Sequence, residues 1–364
     1  MRLAHLDLHL EGEVLARTVL DAGGQLLLTA GTQLTERYIE RLRGRGVEGV
    51  YIADDLSADI EPDVTLQRET RAEAVDLVEQ AVARAEAQDP RGIPLEALRH
   101  LLDDIVGQLW RNQALAVDLT EVRSNVPLAL SHSVECTVLA LLMGEGLGLG
   151  RGDLEQLGTG VLLQDIGMSR FGALTRAART LSPQEVEALQ GHTEAGFRFL
   201  RFEVGLPALT AHVAYQHHER LDASGYPRKL SGDDIHLFGR IAAVADVYTA
   251  LRGQGPAGGL PAHQAMRVLK EMDGGKLDAE LVRRLSERVA VYSAGTPVLL
   301  SSGELAVVVA QGEAGPALPR VRVVAGADLR VCTPWELDLG KDAGGRTVRK
   351  VLPDYPESIL RQLH

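Results

Sequence analysis

Cysteine is scarce: two occur in 364 residues, Cys136 inside an apolar run and Cys332 near the C-terminal end. Two scattered thiols cannot supply a disulfide framework or a paired-cysteine metal site, and they fit a reducing cytoplasm. Long apolar runs are lacking too, since none approaches the roughly 20 residues that a membrane-spanning helix requires. The opening MRLAHLDLHLEGEVLAR has no basic segment followed by an apolar stretch, so the expectation is a soluble, unprocessed, cytoplasmic chain with no membrane span. An excess of positive charge is also missing: 38 Lys and Arg stand against 50 Asp and Glu, a formal net charge of −12. A surface of that sign repels polyphosphate backbones, which excludes non-specific binding of a nucleic-acid polymer and disfavours anionic membranes. Solenoid-type repeats and low-complexity tracts are absent as well.

What is there is an ordinary globular composition, 45% apolar and 24% charged, in a chain longer than one core usually organises. The length predicts two or three packed units. Residues 1–60 mix strand and turn signals and read as a small α+β domain. Val14–Ala16 and Leu26–Leu28 flank the turn residues Asp21–Gly24 as a hairpin, Thr35 can cap a short helix presenting Ile39 and Leu42, Gly44 and Gly46 can end it, and VEGVYIADD follows as a strand. The polar stretch at 56–65 reads as a linker. Residues 66–120 read as a helical segment, with Ala74, Leu77, Val78 and Ala81 and then Leu98, Leu101, Leu102 and Ile105 at three-and-four spacing on either side of an Asp89-Pro-Arg-Gly92 break. Residues 121–290 carry helical periods interrupted by Gly and Pro, an all-α domain, and residues 291–364 turn to short β-branched runs separated by Gly turns, a small β-rich unit. The expected fold class is multidomain and mainly α.

Six of the eleven histidines lie between 132 and 236. A lone histidine on an apolar helix is ordinarily a hydrogen-bonded core or surface residue, so spacing has to separate ligands from packing. Asp165 ends an apolar helical run in LLQDIGM, His192 precedes a Gly-bearing turn in GHTEAG, His217 and His218 stand ahead of a Gly-Tyr-Pro turn in YQHHERLDASGYP, and Asp246 is the one charge in IAAVADVYTAL. Carboxylates in apolar helices are costly unless something positive satisfies them, and a divalent cation would do so. Imidazoles with carboxylates suit Fe, Mn or Zn, and a close pair of such ions can bind and hydrolyse a phosphodiester. His212 and His236 read as packing and loop residues, and Glu219 either orients an imidazole or is a surface carboxylate.

These residues carry a resemblance. The run from about 105 to 260 resembles the HD-GYP subgroup of the HD phosphohydrolase superfamily, bacterial metal-dependent phosphodiesterases that open cyclic di-GMP. The matching positions are His132 in LSHSVECTVLALL, Asp165, His192, the pair His217 and His218 with Gly225-Tyr226-Pro227, and Asp246, in the order and at the separations of that family. The resemblance implies a catalytic Asp165 that bridges two metals, Fe or Mn rather than Zn. Asp165, His192, His217 and His218 would hold the first firmly, and His132, Asp165 and Asp246 the second. It also implies that Tyr226, Arg228 and Lys229 face a cyclic dinucleotide.

The chain departs from the family at several of these places. Gln164 replaces the His before the bridging Asp, Met168 a Lys, Thr249 an Asp, Ala223 a Gly of the GYP loop, Leu128 the Glu of a third metal site in some members, and GQGPAGG the usual Arg-Pro-Tyr stretch. A neutral amide is a poorer ligand than imidazole, so the second metal is expected to bind weakly. Loss of an electrostatic donor such as the Lys typically lowers a rate about 100- to 1000-fold. Three readings follow, the first two being a phosphodiesterase weakened by Gln164, Met168 and Thr249, or a catalytically inactive scaffold or nucleotide-binding signalling protein with a protein partner. A hydrolase of some other phosphoester is the third.

Overall fold

The structure, a computed structural model, describes residues 1–20, 26–45, 47, 49–61, 65–111, 128–175, 179–253 and 259–363. The chain divides into two compact units, one built from Met1–Thr65 and Glu287–His364, the other from Leu66–Gln113 and Pro127–Ser286.

The first unit starts with β1 (Arg2–His5), β2 (Val19–Leu20), β3 (Leu26–Leu28), α1 (Glu36–Gly44) and β4 (Gly49–Ile52). β1 pairs antiparallel with β4, and β2 with β3. The turn expected at Asp21–Gly24 and the helix-ending Gly46 lie outside the described residues. Thr35 caps α1 as its sequence position predicts: its hydroxyl accepts from the Tyr38 amide at 3.3 Å, and Ile39 and Leu42 on the apolar face are buried. They join Leu6, Leu10, Leu15, Leu34, Val50 and Ile52 in one core.

The second unit is helical: α2 (Arg68–Glu86), α3 (Leu95–Arg111), α4 (Leu128–Gly146), α5 (Arg151–Leu162), α6 (Gly172–Thr175), α7 (Pro183–Gln190), α8 (His192–Arg198), α9 (Ala208–Gln216), α10 (Leu237–Arg252), α11 (Ala262–Glu271) and most of α12 (Ala279–Arg288). Among its described residues strand pairing is limited to two isolated bridges, Asp222 with Ser231 and Asp273 with Leu277. The all-α expectation therefore holds. α4 packs on α2, α5 and α10, and α10 packs on α4, α9 and α11. Both helices are buried on every face over their central turns, Val134–Met143 in one and Ile241–Asp246 in the other. A helix with no watered face has nowhere to hide a charge, so Asp246 must be met by protein or by a ligand.

The chain then returns to the first unit with β5 (Pro297–Leu300), β6 (Leu305–Gly312), β7 (Gly315–Ala325), β8 (Val331–Asp338), β9 (Val348–Val351) and α13 (Glu357–Leu363). The five strands form one antiparallel sheet in the order β8-β7-β6-β5-β9. β5 to β7 fall on the apolar runs of the sequence, whereas β8 and β9 do not. These two are the sheet edges, half-exposed along much of their length, and an edge strand needs no continuous apolar run and tolerates a proline such as Pro334. Residues 56–61 of the expected linker do not run free: Ile60 is buried in a core with Leu305, Val307, Tyr355 and Ile359, and Arg322 binds Asp59. Arg2 is buried and pairs with Asp354 at 2.7 Å, while the Leu3 amide donates to Gly295 and the His5 amide to Pro353. Among the described residues no helix is long and apolar enough to cross a membrane.

Candidate metal centre

Each of the six histidine and aspartate positions sits where a helix begins, ends or is buried. His132 lies in the first turns of α4, and Asp246 lies in the middle of α10. Asp165 follows α5 and leads into the 3-10 turn Ile166–Phe171. His192 is the first residue of α8, and His217 closes α9 with His218 directly after it. The Asp165 turn can approach α8 because residue 167 is glycine. A Cβ there would lie 2.0 Å from the His192 carbonyl oxygen and 2.6 Å from the Gly196 nitrogen.

The six side chains converge. Asp165 Oδ1 lies 3.5 Å from His192 Nε2 and 3.6 Å from His217 Nε2, while Oδ2 lies 3.9 Å from His132 Nε2. Asp246 divides its oxygens in the same way, Oδ1 to His132 Nε2 at 3.0 Å and Oδ2 to His218 Nδ1 at 3.5 Å. Two backbone carbonyls fix the tautomers of the buried pair. His192 Nδ1 is 2.7 Å from the Leu189 oxygen and His217 Nδ1 is 3.2 Å from the Val213 oxygen. A carbonyl only accepts, so both Nδ1 atoms carry a proton, and the tautomer this selects points an Nε2 lone pair inward. Those lone pairs face each other at 3.3 Å. With Asp165 Oδ1 they make a triangle of 3.3 to 3.6 Å, close to the roughly 3.4 Å between ligands bonded at about 2.1 Å around a tetrahedral cation. The donor set thus fits a cation, and Asp165, His192, His217 and His218 offer four ligand atoms within 4.8 Å of one another.

Electrostatics agree with the geometry at Asp165, His192 and His218. Burial opposes ionisation of Asp165, but the imidazoles around it, His217 first and then His132 and His192, outweigh it and hold the carboxyl below its usual range. Asp246 is likewise lowered against burial, by His132 and His218. Burial, reinforced by His217, pushes His192 down and takes His218 down to about 3, so both stay neutral and able to ligate. His132 goes the other way: burial opposes its charge, but Cys136 and Asp246 push it up to about 12. Since burial pushes the Cys136 thiol up, the charged partner His132 answers is the Asp246 carboxylate.

The HD-domain family model matches residues 118–281, the stretch that supplies all six side chains. Residues 118–281 are similar to the HD domain. A cyclic di-GMP phosphodiesterase of Pseudomonas aeruginosa is 31% identical over 254 residues, 69% of this chain and 61% of that protein. A 3′3′-cGAMP-specific phosphodiesterase of Vibrio cholerae is 32% identical over 164 residues, 40% of this chain and 31% of that one. The chain thus spans less than two thirds of the length of either relative. Among solved structures, an HDG"Y"P protein from Bdellovibrio bacteriovorus aligns over 78% of this chain and 97% of its own at 16% identity, with a TM-score of 0.48. The HD-GYP resemblance read from the residues agrees with the family and sequence matches.

Around the cluster, the remaining positions fall into distinct places. Tyr226 lays its ring 4.7 Å from that of His218 and 6.4 Å from that of His192, so it walls the cluster. Arg228 is exposed, with its guanidinium 5.8 Å from the Tyr215 ring, and Lys229 is exposed at φ +55°. Ala223 also holds a left-handed backbone, φ +62°, which favours the glycine it replaces. Glu219 takes neither role considered for it. It is buried, and its two oxygens accept from the Arg228 and Leu230 amides at 2.8 and 3.0 Å, which pins the loop. His236 is not a solvated loop residue: its Nδ1 accepts from the Phe238 amide and caps α10. His212 packs beside Phe197.

The departures sit close by. Gln164 is fully buried, and neither its amide oxygen nor its nitrogen has a partner. Met168 is half-buried, and Thr249 is buried with its hydroxyl donating to the Ala245 carbonyl at 2.8 Å. Leu128 opens α4, and the GQGPAGG replacement lies mostly outside the described residues. One residue escaped the sequence reading. Cys136, fully buried, puts its sulfur 3.6 Å from His132 Nε2 and forms a second close group with His132 and Asp246. Its signal was available, one helical turn after His132 on the same face, but an apolar run disguised it.

Proposed function

We propose that this chain is a metal-dependent phosphodiesterase of cyclic dinucleotides, cyclic di-GMP foremost, working at a rate lowered by Gln164, Met168 and Thr249. The observation that carries the proposal is the division of the Asp165 carboxylate, one oxygen toward His192 and His217 and the other toward His132. Asp165, His192, His217 and His218 would hold one cation firmly, and His132, Asp165 and Asp246 a second more weakly. The imidazole and carboxylate donors suit Fe, Mn or Zn, and the resemblance implies Fe or Mn rather than Zn. Two ions so held supply Lewis acidity to the phosphoryl oxygens and lower the pKa of an attacking water. Hydrolysis places the water oxygen on phosphorus, breaks one ester P–O bond and sends a proton to the departing sugar oxygen.

The chain's own residues then set binding and orientation. The Leu189 and Val213 carbonyls keep two imidazoles in the ligating tautomer, Tyr226 gives a ring face at the edge of the cluster, and Arg228 and Lys229 bring positive charge to the same loop. Met168 offers neither a charge nor a proton for the leaving oxygen. Two free cysteines suit a cytoplasmic setting.

Anaerobic protein loaded with Fe or Mn is expected to convert cyclic di-GMP to the linear dinucleotide, slowly, and Asp165→Ala to abolish turnover. The Vibrio relative's name makes 3′3′-cGAMP the second substrate to assay. The unpartnered amide of Gln164 favours one other reading, a catalytically inert domain that binds a nucleotide or a protein partner. Metal-loaded protein that binds cyclic di-GMP by calorimetry and leaves it intact would decide for that reading.

A further inference from the structure

The phosphodiesterase reading gives the second cation three donors and an unsuitable fourth, Gln164. The Gln164 amide is fully buried and bonded to nothing, which leaves a polar pair uncompensated in the core. A few ångströms from the same Asp246 and His132 stands a donor that reading does not use. α4 presents His132 and Cys136 one turn apart, with the sulfur 3.6 Å from His132 Nε2. Asp246 Oδ1 is 3.0 Å from that nitrogen, and the three ligand atoms all lie within 4.8 Å of one another. A sulfur–nitrogen separation of 3.6 Å is what bonds of about 2.3 and 2.1 Å make at a tetrahedral angle. Thr249 stands beside the thiol, at the position where the resemblance expects an aspartate, and a hydroxyl adds no second carboxylate there.

We propose that Cys136 is a thiolate ligand of the second cation, so that His132, Cys136 and Asp246 form a mixed nitrogen–sulfur–oxygen site in place of the imidazole missing at position 164. The inference rests on the two-cation reading of the cluster and adds a prediction that reading does not contain. A thiolate turns the second position toward softer ions, Fe(II), Co(II) or Zn(II) over Mn(II), while the first keeps its imidazoles and carboxylate. Binding releases the thiol proton of Cys136 and the Nε2 proton of His132 to solvent, and no electron is transferred.

The test uses the full chain, stripped of metal and titrated anaerobically with Co(II). A sulfur-to-cobalt charge-transfer band in the near ultraviolet is expected to grow with the second equivalent, to persist in Cys332→Ser and to vanish in Cys136→Ser, whose second-equivalent Kd rises at least about 10-fold. Because Cys136 is fully buried and its replacement can itself unsettle α4, X-ray absorption on the parent loaded with two equivalents of Zn(II) gives an independent answer, a sulfur near 2.3 Å. Two bound ions with no sulfur in either shell overturn the thiolate and leave the phosphodiesterase reading standing. Binding of one ion only overturns the second site altogether. A parent that binds no metal removes the phosphodiesterase reading itself.

Discussion

His192 Nε2 and His217 Nε2 face each other at 3.3 Å, each ring donating its Nδ1–H to a backbone carbonyl. Two lone pairs in that position repel, and the nearest acid, Asp165, has only lone pairs to add. A cation relieves the repulsion. Metal-free protein is therefore expected to gain about 2.7 kcal/mol on addition of Fe(II) or Mn(II) at 100 times Kd, read as a rise in Tm, and Asp165→Ala to lose the gain. An unchanged Tm with bound metal would contradict this.

Gly167 sets how closely the Asp165 turn approaches α8. Gly167→Ala puts a methyl group 2.0 Å from the His192 carbonyl oxygen. The expected cost is about 1–3 kcal/mol of stability, with loss of the first metal, because moving the turn separates Asp165 from His192. Denaturant unfolding and metal content measure the two effects separately.

Ala223 should be improvable. Its φ of +62° costs an L-residue with a Cβ and costs glycine little. Ala223→Gly is expected to stabilise the helical unit by about 1 kcal/mol. Equal or lower stability in chemical denaturation would show that the loop relaxes around alanine.

Gln164→His combined with Met168→Lys restores an imidazole and a cation at the two positions nearest Asp165. More metal per chain is expected from the first change. From the second, a gain in hydrolysis of about 100-fold is expected, the scale of one electrostatic donor. Metal content and product formation, measured beside the parent, check each half.

Acid sensitivity has an identifiable contributor in the other unit. Arg322 hydrogen-bonds Asp59 through both terminal nitrogens and holds its pKa at about 2, below the ordinary 3.8. Between those values the unfolded chain binds more protons than the folded one, so the pair adds stability above about pH 4 and loses it as pH falls toward 2. Asp59 is exposed, so the contribution is at most about 1 kcal/mol. Asp59→Asn is expected to flatten that part of the stability curve and to leave neutral stability lower by the same small amount.

Much of this protein was legible from its residues alone. Three-and-four spacing gave the helices, Thr35 marked the start of α1, and the order of His132, Asp165, His192, His217, His218 and Asp246 gave the candidate ligands, because periodicity and capping are local properties that neighbouring residues carry between them. What only the tertiary structure decided is pairing across distance. His132 meets Asp246 from 114 residues away and Arg2 meets Asp354 from 352, the Leu189 and Val213 carbonyls choose the imidazole tautomers, and Glu219 turns from the histidines to hold its own loop. Cys136 joins the cluster for the same reason. A side chain's partner is set by which helices pack together, and packing follows from the summed burial of many residues, which no short stretch of sequence records.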